Sequence, residues 1–213
     1  MGIRGLSMKE KNHGLYERFT KLYEVVFKPF FVGGMKKVMR SLEKNKHTNV
    51  LEAGCGTGYS FEHYPSGFSI TAYDVSDKMV EEARKKTADI LDNEIIVLDA
   101  DNYHSYLMGK TFDAVISFSV MSVVPDPQVF LEELRMRCKR GGCIYLVMHQ
   151  RSTGFKKIFE YIFEFPCKFL FGFTLLRHVE DLEISGLEIV ENRKINRLMF
   201  FTLSNLIVLK KNI

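Results

Sequence analysis

Hydrophobic positions alternate between strand-like and helix-like patterns through the middle of the chain. Short runs rich in β-branched residues predict five strands, at 49–53, 69–73, 94–98, 114–118 and 143–148. Segments with helical periodicity lie between them, such as 76–88 and 127–138. Alternating strands and helices predict a parallel sheet covered by helices on both faces.

The segments outside this core have patterns of their own. Two late strand-like runs, 187–194 and 200–210, have no room for a helix between them and should pair as a hairpin. Residues 15–46 are predicted to be helical, with the Gly33-Gly34 pair separating an aromatic segment from a basic one. After the fifth strand, residues 152–176 form a predicted helical insertion. Its first half has an apolar face, composed of Phe155, Ile158, Phe159, Ile162 and Phe163.

The expected fold is therefore α/β, a doubly wound, mostly parallel sheet of seven strands with N-terminal helices and a helical insertion after the fifth strand. We expect one domain with four parts: an N-terminal helical cap (1–48), a core (49–150), the insertion (151–178) and C-terminal hairpin strands (179–213).

Composition is typical of a folded protein and indicates a reducing cellular compartment. Of 213 residues, 46% are hydrophobic and 26% are charged, which excludes intrinsic disorder for the chain as a whole. The four cysteines show neither a C-x-x-C pair nor zinc-site spacing, so we expect buried thiols, a reducing compartment and no metal. The chain shows no secretory signal and no apolar run of about 20 residues. A cytoplasmic location is expected, with peripheral attachment to the inner face of the membrane left open.

Charge is distributed unevenly along the chain. Residues 1–48 hold 11 basic and 4 acidic residues, whereas residues 49–150 hold 9 basic and 15 acidic ones. Eleven of the 18 phenylalanines lie at 19–31 and 155–173. Apolar helices with basic flanks are typical of segments that contact an anionic membrane. Solvated lysine-rich helices, and a lid over a small-molecule pocket, would give the same pattern.

A glycine-rich turn gives the strongest chemical signal. Residues 52–58 read Glu-Ala-Gly-Cys-Gly-Thr-Gly and join the first predicted strand to a helix, so that backbone N–H groups face a ligand. The dinucleotide pattern would require glycine at position 59, which is Tyr59, and no P-loop lysine follows. Asp74 lies twenty residues after Gly54 at the end of the second strand, a spacing that favours a carboxylate accepting ribose hydroxyl protons.

This pattern resembles motif I of the class I S-adenosylmethionine (SAM) methyltransferases, which implies a Rossmann-like fold. The resemblance implies that the turn holds the methionine half of SAM, with Glu52 supporting either the turn or the amino group. It also implies that Asp99 binds the adenine, with Asp101 as an alternative. The implied product is S-adenosylhomocysteine. The expected cofactor-binding residues are Tyr23, Glu52, Gly54, Gly56, Gly58, Asp74, Val75, Met79, Asp99, Ala100 and Ser117.

The acceptor is indicated by weaker motifs. Tyr16-Glu17-Arg18, the segment 122–127 and Phe201-Thr202-Leu203 look like bacterial phosphatidylethanolamine N-methyltransferases. That resemblance implies a phospholipid amine as acceptor, at an anionic membrane. Tyr16 and His149 are the candidate catalytic residues. A quinone or other small-molecule methyltransferase, and a non-catalytic SAM-binding sensor or scaffold, are the alternatives. The absence of a [DNS]-P-P-[YFW] motif argues against nucleic acid as substrate. The oligomeric state cannot be derived from these patterns.

Overall fold

A computed structural model describes residues 32–150, 177–198 and 201–212, together with residues 158, 161, 162, 164 and 174. The predicted helices before residue 32, including Tyr16 and Tyr23, lie outside the described residues, as does most of the predicted insertion. The division of the chain into four parts therefore stays a prediction.

The described helices and strands alternate through part of the core. The helices are α1 (32–45), α2 (Asp77–Thr87), α3 (Tyr103–Leu107) and α4 (Pro127–Arg137). The strands are β1 (Asn49–Ala53), β2 (Ser69–Tyr73), β3 (Glu94–Leu98), β4 (Phe112–Phe118), β5 (Cys138–Met148), β6 (Leu187–Leu198) and β7 (Phe201–Lys211). Short 3-10 turns occur at Phe61–His63, Val120–Ser122 and Val179–Asp181. Helices and strands alternate from β2 to β5, but no α-helix lies between β1 and β2, so the helix expected directly after the glycine turn is wrong and a short 3-10 turn stands there.

Seven strands form one sheet in the order β3-β2-β1-β4-β5-β7-β6. The first five are parallel, whereas β7 runs antiparallel between β5 and β6. This confirms the predicted doubly wound sheet with its C-terminal hairpin. Strand order reverses between β1 and β4, so a crevice opens at the carboxyl ends of these strands, where ligands bind in open α/β sheets.

Both faces of the sheet are buried. One face packs against α1 and α2 through residues such as Val38, Leu42 and Val80, and the other packs against α3 and α4 through residues such as Leu107 and Leu131. The central strands β1 and β4 are buried along nearly their whole length because helices cover both faces of the sheet.

The orientation of α1 is fixed by contacts at both of its ends. Near its start, the Lys37 Nζ donates to the carbonyl of Ile195 in β6. The neighbouring Lys194 pairs with Asn205 of β7, and Asn205 in turn pairs with Met148 at the end of β5. At its end, Asn45 donates to the hydroxyl of Tyr145 at 3.0 Å, and the chain then enters β1. The first turns of α1 therefore lie toward the carboxyl edge of the sheet. Gly33 and Gly34 lie in the first turn of α1 as described, and the aromatic segment from which they were expected to separate the basic helix lies outside the described residues.

Strand β5 starts five residues earlier than predicted. Cys138 pairs with Phe112 and Cys143 pairs with Ala114, so the residues between them bulge out of the ladder. Gly142 is required inside this bulge, because a Cβ there would come within 2.6 Å of the Asp113 carbonyl. The sequence pattern located the regular half of the strand only.

Candidate active site

The glycine turn after β1 is held by the end of β2. The N–H groups of Gly54 and Cys55 both donate to the carbonyl of Tyr73, at 2.8 and 3.0 Å. Gly54 has φ +75°, and a Cβ there would lie 2.3 Å from Cγ2 of Val120, a residue in the turn that follows β4. The ends of β1, β2 and β4 therefore pack against one another at this point.

Gly56 differs from Gly54 in facing open space. It has φ +55°, and no atom lies within 4 Å of the position that a Cβ would occupy. Its N–H donates to the Oδ2 of Asp74 at 2.9 Å, which pins the turn to β2. Hydrogen bonds hold one side of this turn, and the other side is open to a ligand. Such an open glycine backbone fits the methionine half of SAM.

Asp74 links the glycine turn to the start of α2. Its Oδ1 accepts from the N–H of Ser76 at 2.9 Å, while its Oδ2 accepts from Gly56. Burial raises the pKa of this carboxyl above its usual value, and the backbone N–H groups of Ser76, Gly56 and Val75 oppose that rise. Of the roughly four lone pairs of the carboxylate, at least one is left by these three N–H groups, so Asp74 can still accept from a ribose hydroxyl group.

Glu52 lies beneath the turn, with 1% of its surface exposed. Both of its oxygens accept from the Ser60 hydroxyl, at 2.6 and 2.8 Å, and Oε2 also accepts from the Tyr64 hydroxyl at 2.8 Å. Burial raises the pKa of Glu52 to about 7, although hydrogen bonds from Ser60 and Tyr64 lower it and Asp74 raises it further. Of the two expected roles, these contacts favour support of the turn.

The adenine side of the expected site contains several residues with different environments. Asp99 is partly exposed, and its side chain accepts from the Asn102 N–H at 3.0 Å, from the Asn102 Nδ2 at 2.7 Å and from Arg84 at 3.2 Å. Slight burial raises the pKa of Asp99, but the bonds from Asn102 and Arg84 hold it below its usual value. Asp101 is exposed. At the start of α2, Val75 is 52% exposed and Met79 is half-buried.

The exit of β4 contains an unusual backbone and an unpaired hydroxyl. Ser117 is buried, and its Oγ has no hydrogen-bond partner among the described residues. Ser119 adopts φ +65°, and its N–H donates to the Val147 carbonyl at 2.7 Å. Left-handed backbone at a non-glycine residue is uncommon and concentrates at functional sites. His149, which follows β5 directly, is half-buried at the same edge.

A cleft of about 240 Å³ lies beside this exit. Its lining residues are Met121, Pro127, Met148, Arg177, His178, Asp181 and Leu182. Sequence reasoning missed Arg177 and His178, because they lie in a segment without periodicity or motif. It also missed Ser60 and Tyr64, which no local pattern connects to Glu52.

The family model described as a methyltransferase domain matches residues 51–146. These residues run from β1 through the glycine turn to β5. This region is a SAM-dependent methyltransferase domain of class I.

Relatives of this methyltransferase act on different acceptors. A phosphatidylethanolamine N-methyltransferase of Cereibacter sphaeroides is 33% identical over 101 residues, which cover 47% of this chain and 50% of that protein. A demethylmenaquinone methyltransferase of Staphylococcus aureus is 28% identical over 188 residues, covering 82% of this chain and 76% of that protein.

The fold has solved counterparts. The magnesium protoporphyrin IX methyltransferase of Synechocystis PCC 6803 with bound S-adenosylhomocysteine superposes with a TM-score of 0.65 at 20% identity, covering 92% of this chain and 94% of that one. This likeness confirms the Rossmann-like methyltransferase fold.

Two further observations concern membranes and metals. None of the described helices is long and apolar enough to cross a membrane. The described residues contain no group of three His, Cys, Asp or Glu side chains placed to hold a metal ion. The expectations for the individual site residues, and the expectation of no metal, stay predictions.

Proposed function

We propose that this methyltransferase transfers the methyl group of SAM to the amine of a phospholipid head group, phosphatidylethanolamine, at a membrane surface. The observation that carries the proposal is the 33% identity to a phosphatidylethanolamine N-methyltransferase over 101 residues. That match covers half of the relative's length.

The glycine turn and Asp74 would hold SAM. The backbone of Gly54, Gly56 and Gly58 would cradle the methionine half, and Asp74 would accept from the ribose. When bound, SAM supplies an electrophilic methyl group: a nitrogen–carbon bond forms as the carbon–sulfur bond breaks, and sulfur keeps the bonding pair in S-adenosylhomocysteine. The chain therefore has to align the acceptor nitrogen and exclude water.

The acceptor nitrogen must lose a proton before it can attack. An alkylammonium group has a pKa of about 10, which burial next to a positive charge lowers. We assign receipt of the proton, or orientation of the head group, to His149, and contact with the substrate to Tyr16. His149 lies directly after Met148, which lines the cleft. Tyr16 lies outside the described residues.

Two surface features at the carboxyl edge support a membrane acceptor. In the insertion, Ile158, Tyr161 and Ile162 are helical and 52%, 52% and 61% exposed. The spacing of these three residues puts them on one face of a helix. A lid folded over a small-molecule pocket would bury that face. The insertion joins this edge where the N–H of Thr174 donates to the carbonyl of Ser122 at 3.0 Å.

The basic side of this surface comes from the first turns of α1. Lys36 and Arg40 are exposed, four residues apart on the solvent face of the helix, while Met35 and Met39 are buried. Juxtamembrane basic residues each contribute about 1 kcal/mol near an anionic bilayer. The start of α1, and the point where Thr174 of the insertion contacts Ser122, lie at the same edge of the sheet as the glycine turn.

Methyl transfer to vesicles tests the acceptor directly. The protein is incubated with methyl-labelled SAM and vesicles made of equal parts phosphatidylethanolamine and phosphatidylglycerol. We expect label in the N-methylated lipid, and none with vesicles that contain phosphatidylglycerol alone. Absence of label in the lipid, with SAM binding intact, would overturn the phospholipid proposal.

Charge reversal tests the membrane contact. The double variant Lys36→Glu/Arg40→Glu should lose most binding to anionic vesicles at low salt and keep its affinity for SAM. The matched control is Lys110→Glu/Arg140→Glu, which removes the same charge from exposed residues at the opposite edge of the sheet. Equal loss of vesicle binding in both variants would indicate a net-charge effect and no defined surface. We exclude Lys37 from the test because it is half-buried and contacts Ile195.

A quinone C-methyltransferase is the second candidate function. It is favoured by the match to the demethylmenaquinone methyltransferase, which covers more of this chain than the phospholipid enzyme does. Labelled SAM incubated with a total lipid extract separates the two candidates, because label enters either the phospholipid fraction or the quinone fraction.

A further inference from the structure

The cleft beside the β4 exit lies on the α4 face of the sheet, at its carboxyl edge. Met121 follows β4, Met148 ends β5 and Pro127 begins α4, while the remaining lining residues precede β6. Its volume of about 240 Å³ lies just below the usual range of ligand pockets, about 300–1,000 Å³. The cleft therefore suits one polar group of a ligand with its neighbouring carbons, and is too small for a whole lipid.

Arg177 is the cation of this cleft, and its guanidinium is only partly used. Its Nη2 donates to the carbonyl of Val124. The Nε is buried and has no hydrogen-bond partner among the described residues. Burial lowers the pKa of Arg177, against the influence of Asp126 and Glu164.

The two carboxylates that influence Arg177 are engaged elsewhere. Asp126 caps α4 by accepting from the N–H groups of Gln128 and Val129, at 2.9 and 3.1 Å. Glu164 accepts from the Thr174 hydroxyl at 2.6 Å. Asp181 also lines the cleft, but it is exposed to water. Arg177 thus has no ion-pair partner among the described residues, and leaving a buried donor unmatched costs stability unless a ligand completes it.

His178 provides a second donor at the same place. Its Nδ1 accepts from the N–H of Glu180 at 3.3 Å, so the proton of the neutral ring is on Nε2. Apolar walls complete the cleft, formed by Met121, Met148 and Leu182. A planar guanidinium beside an imidazole N–H, in an apolar setting, matches the geometry of phosphate oxygens.

We infer that this cleft is the acceptor's phosphate subsite, in which Arg177 binds a phosphate ester while Met121, Met148 and Leu182 contact the adjoining carbons. The identity of the acceptor rests on the proposed function, whereas the anion site is supported by the residues of the cleft alone. Two sources share this chemistry, the phosphodiester of a lipid head group and a free phosphate. Arg177 is a positioning residue, because it would hold the acceptor at a distance from the reacting nitrogen.

Soluble probes test the subsite without methyl transfer. Binding of glycerophosphoethanolamine and of inorganic phosphate is measured by calorimetry on protein saturated with S-adenosylhomocysteine. We expect wild-type protein to bind the diester more tightly. Arg177→Gln should weaken that binding by about 10- to 150-fold, as expected for loss of a charged hydrogen bond. Arg140→Gln is the matched control, since Arg140 is exposed at the opposite edge.

Arg177→Lys provides a second variant that keeps the charge. It should bind the diester with intermediate affinity because it lacks the two-pronged donor geometry. With phosphatidylethanolamine vesicles, both Arg177 variants should raise KM more than they lower kcat, and S-adenosylhomocysteine affinity should stay unchanged. If Arg177→Gln melts at a much lower temperature than wild type, the affinity of Arg177→Lys for the diester is the test of the subsite.

The outcomes separate this inference from the proposed function. Wild-type affinity for the diester in both variants, or no binding of either probe by the wild-type protein, would overturn the subsite. Tighter binding of inorganic phosphate than of the diester would retain the anion site and overturn its lipid source. If vesicle lipid is never methylated but Arg177→Gln still loses the diester, the proposed function fails and the subsite stands.

Discussion

The two halves of the carboxyl edge are built in different ways. At the ends of β1 and β2, the backbone is held by its own hydrogen bonds, and Glu52 and Asp74 have partners for their carboxylates. At the ends of β4 and β5, Ser117 and Arg177 each have a buried polar atom without a partner among the described residues. The first half therefore has its hydrogen bonds without a ligand, whereas in the second half the proposed acceptor would supply a partner for Arg177.

The halves also differ in their charged groups. At the ends of β1 and β2, Glu52 is buried beneath the turn and Asp74 accepts from backbone N–H groups. The cleft beside the β4 exit contains the guanidinium of Arg177 and the exposed carboxylate of Asp181. The methyltransferase-domain match stops at residue 146, before Met148, His149 and Arg177. The family model therefore ends before most of the residues that line the cleft beside the β4 exit, whereas the match to the demethylmenaquinone methyltransferase covers 82% of this chain.

The largest expected effect comes from filling the open side of the glycine turn. Gly56→Val places a branched side chain in the cradle and should abolish measurable SAM binding in calorimetry. Gly109→Val is the control, since Gly109 also has positive φ, at +72°, and no atom within 4 Å of the Cβ position. Both variants pay a similar backbone cost of roughly 1–2 kcal/mol in folding. Wild-type SAM affinity in Gly56→Val would show that the turn is not the cradle.

Glu52 gives the next largest effect, as a pH dependence of folding. Its pKa of about 7 in the fold exceeds its ordinary value of 4.5, so the protonated form is the one that folding favours. Its contribution to stability is complete below about pH 4.5 and is lost as the pH rises through about 7. The loss is at most roughly 3 kcal/mol.

Glu52→Gln tests this dependence because glutamine stays neutral at every pH. We expect the free energy of unfolding of the variant, relative to wild type, to rise between pH 4.5 and pH 7.5. The control is Glu62→Gln, which makes the same substitution at an exposed carboxylate ten residues away. Parallel stability profiles for wild type and Glu52→Gln would contradict the raised pKa.

The parts of the site that the sequence could predict are those that depend on local patterns. Glycines at fixed spacing, and an acid at the end of the next strand, are local patterns, so the glycine turn and Asp74 could be located from the sequence, and their roles toward SAM stay predictions. The partners of Glu52 depend on how the chain returns beneath the turn. The left-handed backbone of Ser119 arises from packing between β4 and β5, and Arg177 reaches the cleft only through tertiary structure. No local pattern encodes such contacts.

Asp74→Ala should weaken SAM binding by about 10- to 150-fold, because each charged hydrogen bond to the ribose contributes roughly 1.5–3 kcal/mol. The variant also loses the bonds to Gly56 and Ser76, so a ligand control is needed. S-adenosylhomocysteine is compared with its 2′-deoxy analogue by calorimetry. The penalty of the variant should be smaller for the analogue, and Asp77→Ala, at an exposed neighbouring carboxylate, should bind both as wild type does. Equal penalties for the two ligands would assign Asp74 to the turn alone.

The smallest expected effect is at the adenine side, where Asp99 is already an acceptor for Asn102 and Arg84. One lone pair on Oδ2 remains for the adenine N6 amine, so Asp99→Ala should weaken SAM and S-adenosylhomocysteine together by only several-fold. S-inosylhomocysteine, which has an oxygen in place of that amine, should bind the variant and the wild-type protein alike. Arg84→Met controls for loss of the ion pair. If Asp101→Ala weakens both adenine ligands while Asp99→Ala does not, the adenine contact lies two residues further along the loop, at the exposed carboxylate.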